Sequence, residues 1–192
     1  HVAQQPADGH TILAITTSHF IDAVKPKTRV SLLQDFVPVA RYQLDTTGIL
    51  VGAKTPFKTL KDLIDYGKKN PRQLKFAGTS PGGWSEIQTL SIAKLANIQI
   101  TFVPFDSGAE IKAAMLGGHI HGAMEELAET LPLINAGQIR ALAVISESRH
   151  PVLPDVPTTV EQGIKHTKGL TRGFALHKGT APERVKFLAE AV

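Results

Sequence analysis

Gly78-Thr79-Ser80-Pro81-Gly82-Gly83-Trp84-Ser85 packs three hydroxyls and three glycines into eight residues. An apolar run, Leu74 to Ala77, precedes it, and an amphipathic one carrying Ile87, Leu90 and Ala93 follows. That order predicts a strand, a Gly-rich loop and a helix N-terminus. The first amides of a helix lack acceptors within it, and the helix dipole favours negative charge at the same end, so the loop reads as an anion site. Its candidate donors are the hydroxyls of Thr79, Ser80 and Ser85 and the amides of Gly82, Gly83, Trp84 and Ser85.

The same residues carry other readings. As Gly-x-Ser-x-Gly they match a nucleophile elbow with Ser80 as the attacking group. Pro81 opposes this, because such a hydrolase draws an oxyanion donor from the backbone N–H after the nucleophile and proline has none. A P-loop is ruled out by the missing Gly-Lys-Ser/Thr ending and the absence of lysine from the loop. An ordinary strand-to-helix turn needs Ser and Gly at these positions without any ligand.

Elsewhere the chemistry-bearing residues have plainer alternatives. His119 and His121 lie two apart on a predicted strand over His119 to Met124 and would share a face. No third ligand is spaced to join them, so they read as hydrogen-bonded or solvated histidines, and neither metal nor cofactor is expected. Glu125 ends that strand as a candidate ligand contact, whereas Glu126 and Glu129 read as the acidic first turn of the next helix. Trp84 is a candidate for the pocket or for the core. Met115 and Leu116 are core by periodicity.

Composition narrows the class. The 192 residues are 42% hydrophobic and 20% charged, enough to bury a core, and no apolar run is long enough to cross a membrane. The net charge of +4 and pI near 9.4 come from scattered lysines and arginines. With no basic block, and only Trp84, Tyr42 and Tyr66 beyond the phenylalanines, the chain does not read as nucleic-acid binding. The absence of cysteine excludes thiol catalysis, disulfides and thiolate metal sites. The chain opens on His1-Val2-Ala3 without methionine, so its start says nothing about export.

Strand-like runs fall at Thr11 to Ile15, Gly48 to Ala53, Leu74 to Ala77, Ile98 to Val103, His119 to Met124, Ile139 to Ile145 and Gly173 to Leu176. Capping-box spacings at Thr59-x-x-Asp62, Ser107-x-x-Glu110, Thr158-x-x-Glu161 and Thr180-x-x-Glu183 predict helix starts between them. The alternation predicts an α/β protein with a largely parallel sheet. Residues 51–170 read as one lobe, and residues 1–50 with 171–192 as part of another. Loops at the carboxyl ends of strands would hold a ligand: Thr16-Thr17-Ser18, Gly78 to Ser85, and Pro104 to Gly108 with Phe105 and Ser107.

Several motifs then occur in a recognisable order: Asp8-Gly9-His10-Thr11-Ile12-Leu13, Asp35-Phe36-Val37-Pro38-Val39, Lys58-Thr59-Leu60-Lys61-Asp62-Leu63, Val103-Pro104-Phe105, Met115-Leu116-Gly117-Gly118, Ala136-Gly137-Gln138-Ile139-Arg140-Ala141-Leu142-Ala143-Val144, Leu153-Pro154-Asp155-Val156-Pro157-Thr158 and Lys178-Gly179-Thr180-Ala181-Pro182. The chain resembles the periplasmic solute-binding proteins of tripartite tricarboxylate transporters, the Bug family, over essentially its whole length. The resemblance implies a two-lobed, type II Venus-flytrap protein without catalytic activity. It would hold a small mono- or dicarboxylate in the periplasm through loop amides, hydroxyls and waters, and deliver it to a membrane permease. It also implies that the clamp comprises Thr79 to Ser85, Thr16 to Ser18, and Phe105, Ser107 and Gly108. The chain departs from the family pattern at His10, at Phe105-Asp106-Ser107 and at Arg172. Family members start earlier and end later, so the first lobe is expected to be truncated at both ends and to invite dimerisation through an unpaired Thr11 to Ile15 strand. A serine hydrolase using Ser80 and a ligand-sensing module on the same lobes remain the alternatives.

Overall fold

A computed structural model describes residues 1–25 and 30–192. After a short 3-10 turn at Val2–Gln4, the chain runs β1 (Leu13–Thr16), α1 (Thr17–Ala23), α2 (Leu32–Asp35), β2 (Phe36–Asp45), β3 (Thr47–Gly52), α3 (Leu60–Lys69), β4 (Leu74–Thr79) and α4 (Trp84–Leu95). It continues with β5 (Ile100–Phe105), α5 (Gly108–Gly117), β6 (Gly122–Glu126), α6 (Leu127–Asn135), β7 (Ile139–Ile145), β8 (Leu170–His177) and α7 (Pro182–Glu190). Two compact units result, His1–Asp45 with Leu170–Val192, and Thr46–Gly169.

The first unit is a three-stranded antiparallel sheet in the order β1-β8-β2. Leu13 to Thr16 pair with Ala175 to Arg172, so the predicted first strand is paired on one side, contrary to the expectation of an unpaired one, and open on the other. β2 was missed in the sequence. Pro38 interrupts it, and alternation fails where register shifts between Pro38 and Ala40 and between Arg41 and Gln43, as edge strands tolerate. Behind the sheet, Ile15, Phe36 and Ala175 form a small core, with Val2, Ala3, Leu13 and Leu32 packed against it.

The second unit holds a five-stranded sheet in the order β5-β4-β6-β3-β7. β4 runs parallel to β5 and β6, while β3 is antiparallel to β6 and β7. The expectation of a largely parallel sheet is therefore corrected to a mixed one, and the first sheet is wholly antiparallel. Helical crossovers align β4, β5, β6 and β7, as alternation requires, but β3 inserts the opposite way between β6 and β7. Ile49 and Val51 of β3 face one apolar cluster with Phe57, Leu60, Leu74 and Phe76, and Leu50 faces another with Ile111, Met115, Ala123 and Leu127. The period-two switch between clusters is what a strand buried on both faces produces.

Local chemistry sets the helix starts. The Thr59 hydroxyl accepts from the Asp62 amide at 3.1 Å while the Asp62 carboxylate accepts from the Thr59 amide at 2.9 Å, completing the predicted box. Ser107 caps α5 by accepting from the Glu110 amide at 3.3 Å. Thr158 and Glu161 make the same reciprocal bonds, yet they close a turn, not a helix. Thr180 caps nothing: Ala181 is the N-cap of α7, and the buried Thr180 hydroxyl has no partner. The strand predicted over His119 to Met124 is displaced to Gly122–Glu126, because Gly118 adopts φ 75° after α5 and His119 to His121 serve as the connection.

Candidate functional site

The β4–α4 loop is built around two left-handed residues, Ser80 at φ 56° and Gly82 at φ 69°. The Gly83 amide donates to the Ser80 carbonyl at 2.7 Å and closes the turn, and Gly83 is the N-cap of α4. Ser85 donates its hydroxyl to the Thr79 carbonyl at 2.7 Å. A Cβ on Gly78 would stand 2.5 Å from the Ser85 Oγ, so the close approach of loop and strand requires glycine there. The Gly82 amide donates to the Glu86 carboxylate at 2.7 Å, one turn into α4.

Three of the predicted donors, the Gly82 and Gly83 amides and the Ser85 hydroxyl, are thus engaged inside the chain. The amides of Trp84 and Ser85, in the first turn of α4, have no acceptor within the helix. Thr79 is half-buried and the Ser80 side chain is exposed. Trp84 is half-buried, and its indole Nε1 is buried without a hydrogen-bond partner.

The next strand along ends at a second helix start. Phe105, half-buried, ends β5 and packs against the cluster around Ile111; Ser107 caps α5, and Gly108 opens it. Asp106, one of the departures from the family pattern, is exposed, and its amide lies 3.4 Å from the Glu110 carboxylate. Glu125 is only 6% exposed. Its Oε2 lies 3.1 Å from where a Cβ on Gly108 would stand, and Lys112 Nζ lies 3.5 Å from the same point. Lys112 pairs with Glu129 at 3.6 Å. Burial first, then the charge of Glu126, pushes the Glu125 carboxyl up to about 7, with Lys112 opposing and Glu129 adding to the rise. It therefore changes charge near neutral pH.

Thr16, Thr17 and Ser18, all half-buried, lie in the first unit at the start of α1. The Thr16 amide donates to His19 Nδ1 at 3.1 Å, and the Thr17 hydroxyl accepts from the Thr171 amide at 2.9 Å, so both tie local backbone together. His119 and His121 do not share a strand face. His119 is exposed, while His121 Nδ1 accepts from the Lys75 amide at 3.1 Å, which leaves its proton on Nε2. Arg172 pairs with the buried Asp45.

One functional support escaped sequence reasoning. Gln88 is fully buried in α4, and its amide donates to the Thr47 hydroxyl at 3.0 Å and to the Lys168 carbonyl at 2.7 Å. These bonds fix the helix that carries the loop to β3 and to the end of the unit. A glutamine inside the apolar period between Ile87 and Leu90 was the available signal. Glu86 was equally unanticipated.

The described residues contain no helix long and apolar enough to cross a membrane. Two helix N-termini, at the ends of adjacent parallel strands and beside a buried carboxyl, can receive a small anion. The family described as the tripartite tricarboxylate transporter family receptor matches residues 1–192. The chain belongs to that family. A UPF0065 protein of Pseudomonas sp. (strain P51) is 30% identical over 161 residues, which cover 83% of this chain and 48% of that protein. The chain spans about half the length of the curated relatives it matches. Among solved structures, a Rhodopseudomonas palustris protein with adipate aligns with a TM-score of 0.88 at 29% identity, over 97% of this chain and 64% of the other. A second from that organism, with bound malate, aligns with a TM-score of 0.84 at 26% identity, over 97% and 65%. The fold is that of the periplasmic solute-binding proteins, and the malate and adipate of those two structures are carboxylates.

Proposed function

We propose that this chain captures a small carboxylate in the periplasm on behalf of a tripartite tricarboxylate-type permease and catalyses no reaction. The observation that carries the reading is the paired helix starts of α4 and α5, which follow the parallel neighbours β4 and β5. That the Gly82 amide donates to a carboxylate oxygen of Glu86 supports the choice of anion. In this reading the ligand meets the first-turn amides of Trp84 and Ser85 and the hydroxyls of Thr79 and Ser80, while the Ser85 hydroxyl, donated to the Thr79 carbonyl, holds the loop in shape. Phe105, Ser107, Gly108 and Glu125 form the adjoining wall. Family membership and the malate and adipate of the structural relatives support the ligand class.

The hydrolase reading has less support because Pro81 offers no amide at the oxyanion position, although Ser80 at φ 56° has the strained turn such a nucleophile would need. A charge-assisted hydrogen bond contributes about 1.5–3 kcal/mol, so Ser80→Ala should weaken adipate or malate binding roughly tenfold or more while the protein stays folded, and Ser85→Ala should weaken it by freeing the Thr79 end of the loop. Unchanged calorimetric affinity in both variants removes the α4 loop from the site. Stoichiometric labelling of Ser80 by a serine-reactive phosphonate would restore the hydrolase. We also propose self-association through the first unit. The open edge of β1 and a cavity of about 490 Å³ lined by Val2, Leu13, Val30, Leu32 and Phe36 support it.

A further inference from the structure

Glu125 presents a carboxyl in a place where a charge is expensive. The residue is only 6% exposed, and among the described residues its carboxyl forms no hydrogen bond or ion pair. Every charged group facing it is accounted for. Lys112 comes from α5 and is paired with Glu129 at 3.6 Å; Glu126 follows Glu125 in β6, and Glu129 belongs to α6. On the sheet side Glu125 stands opposite Gly48 of β3, which has no side chain to offer. The carboxyl oxygen lies against the first residue of α5, 3.1 Å from where a Cβ on Gly108 would stand. A carboxylate ligand arriving at that helix start would bring a second negative charge beside a buried one. Two carboxyls that share a low-dielectric site hold one proton between them, since both cannot ionise at close range.

We propose that Glu125 is the specificity residue of this site, holding a proton when ligand is bound and donating it as a hydrogen bond to a ligand carboxylate oxygen. The consequence is that the site takes an anion without an amino group together with one proton, whereas a ligand bearing an ammonium group next to the carboxylate differs in its proton balance. Such a ligand would favour ionised Glu125 and would bind without the proton. The rise of the Glu125 carboxyl to about 7 supports this without being needed for it. The proposal rests on the carboxylate reading above.

Calorimetry separates the two. Adipate, malate and aspartate are titrated into the intact chain at several values between about pH 5.5 and 8.5, each in two buffers of different ionisation enthalpy. Proton uptake per anion should approach one for adipate or malate above neutrality, and affinity should fall by up to roughly tenfold per pH unit there. In Glu125→Gln, which keeps the size and a donor but cannot titrate, uptake should vanish and affinity should become independent of pH. Thermal melts confirm that the variant is folded, and the buffer comparison on the unaltered chain needs no variant. Absence of proton uptake in the unaltered chain overturns the proposal, as does uptake that persists in Glu125→Gln or uptake with aspartate equal to that with malate. No binding of adipate or malate at any pH overturns the carboxylate reading itself, and this proposal with it.

Discussion

The two units are built from the same amino-acid repertoire but bury it very differently. In the second, β3 is buried along its whole length, and two apolar clusters lie on opposite faces of one five-stranded sheet. In the first, the cluster has three buried members, and large apolar side chains stay in contact with solvent: Val24 at 77%, Leu33 at 63%, Leu44 at 57% and Phe187 at 70%. Helices on both faces allow a sheet to be buried completely, whereas a three-stranded antiparallel sheet with two free edges covers one face at best. Stability should therefore be concentrated in Thr46–Gly169, and the loops that open α4 and α5 sit on that stable part.

The largest expected effect tests the contrast directly. Amides of β3, β4 and β6 should exchange on the order of a hundredfold or more slowly than those of β1 and β2, because opening free energies follow local burial. Equal protection in both sheets would break the comparison. Core truncation is the next test. Leu50→Ala or Ile111→Ala, both at 0% exposure, should cost about 2–5 kcal/mol in chemical denaturation. Leu33→Ser or Phe187→Ser in the first unit should stay within about 0.5 kcal/mol. A cost above 2 kcal/mol for Phe187→Ser would mean that something covers it in solution, which the mass from light scattering would identify as a second copy.

The pH dependence sharpens the comparison at the site. Folded Glu125 retains a proton up to about 7, whereas an unfolded glutamate releases it around its ordinary value of 4.5. Between those values the folded state binds more protons than the unfolded one, so stability falls as pH rises through the window. Glu125→Gln should accordingly stabilise the chain by up to about 3 kcal/mol above pH 8 relative to its effect near pH 4. His121 and His166 work in the opposite sense. Burial first, and then Lys75 or Lys168, holds each below the usual imidazole range, so their contribution is present above it and is lost as pH falls. Thermal melts from about pH 4 to 9 on Glu125→Gln should show the alkaline loss removed and the acid loss kept. A parallel shift at every pH would mean that Glu125 does not titrate in that range.

What the sequence disclosed follows from the range of the interactions involved. The β4–loop–α4 unit was legible because its signals are local: an apolar run, glycines where φ turns positive, and an amphipathic continuation. The Thr59–Asp62 box was legible for the same reason. Strand direction was not, because β3 inserts between β6 and β7 through contacts some seventy to ninety residues away in sequence. β2 was hidden by Pro38 and by its two register shifts, which destroy the alternation that marks a strand. Within the site, Glu125 was legible as a residue at a strand end. Its burial, and its approach to Gly108, depend on β6 and α5 meeting in space. Gln88 was not singled out in the sequence, since only the fold brings Thr47 and Lys168 to its amide.

That network yields a smaller effect. Gln88→Ala leaves the Thr47 hydroxyl and the Lys168 carbonyl without their buried partner, at about 1–3 kcal/mol. Because α4 carries the loop, the same variant should weaken adipate binding more than Leu90→Ala on its exposed face. Equal affinities would show that the loop does not need the helix held in place.

The smallest effect isolates the loop's own conformation. Ser80 adopts φ 56°, where a side chain costs about 1–2 kcal/mol and glycine costs little. Ser80→Gly relieves that cost but also gives the unfolded chain more freedom, which offsets part of the gain. The expected net is a stabilisation of under about 1 kcal/mol in chemical denaturation. Adipate affinity should fall as it does in Ser80→Ala, since both remove the hydroxyl. If Ser80→Gly stabilises the chain and binds like the unaltered protein, the residue is kept for something other than its hydroxyl. If it destabilises the chain, the left-handed turn is held by the serine side chain rather than in spite of it, and the strain assigned to Ser80 is wrong.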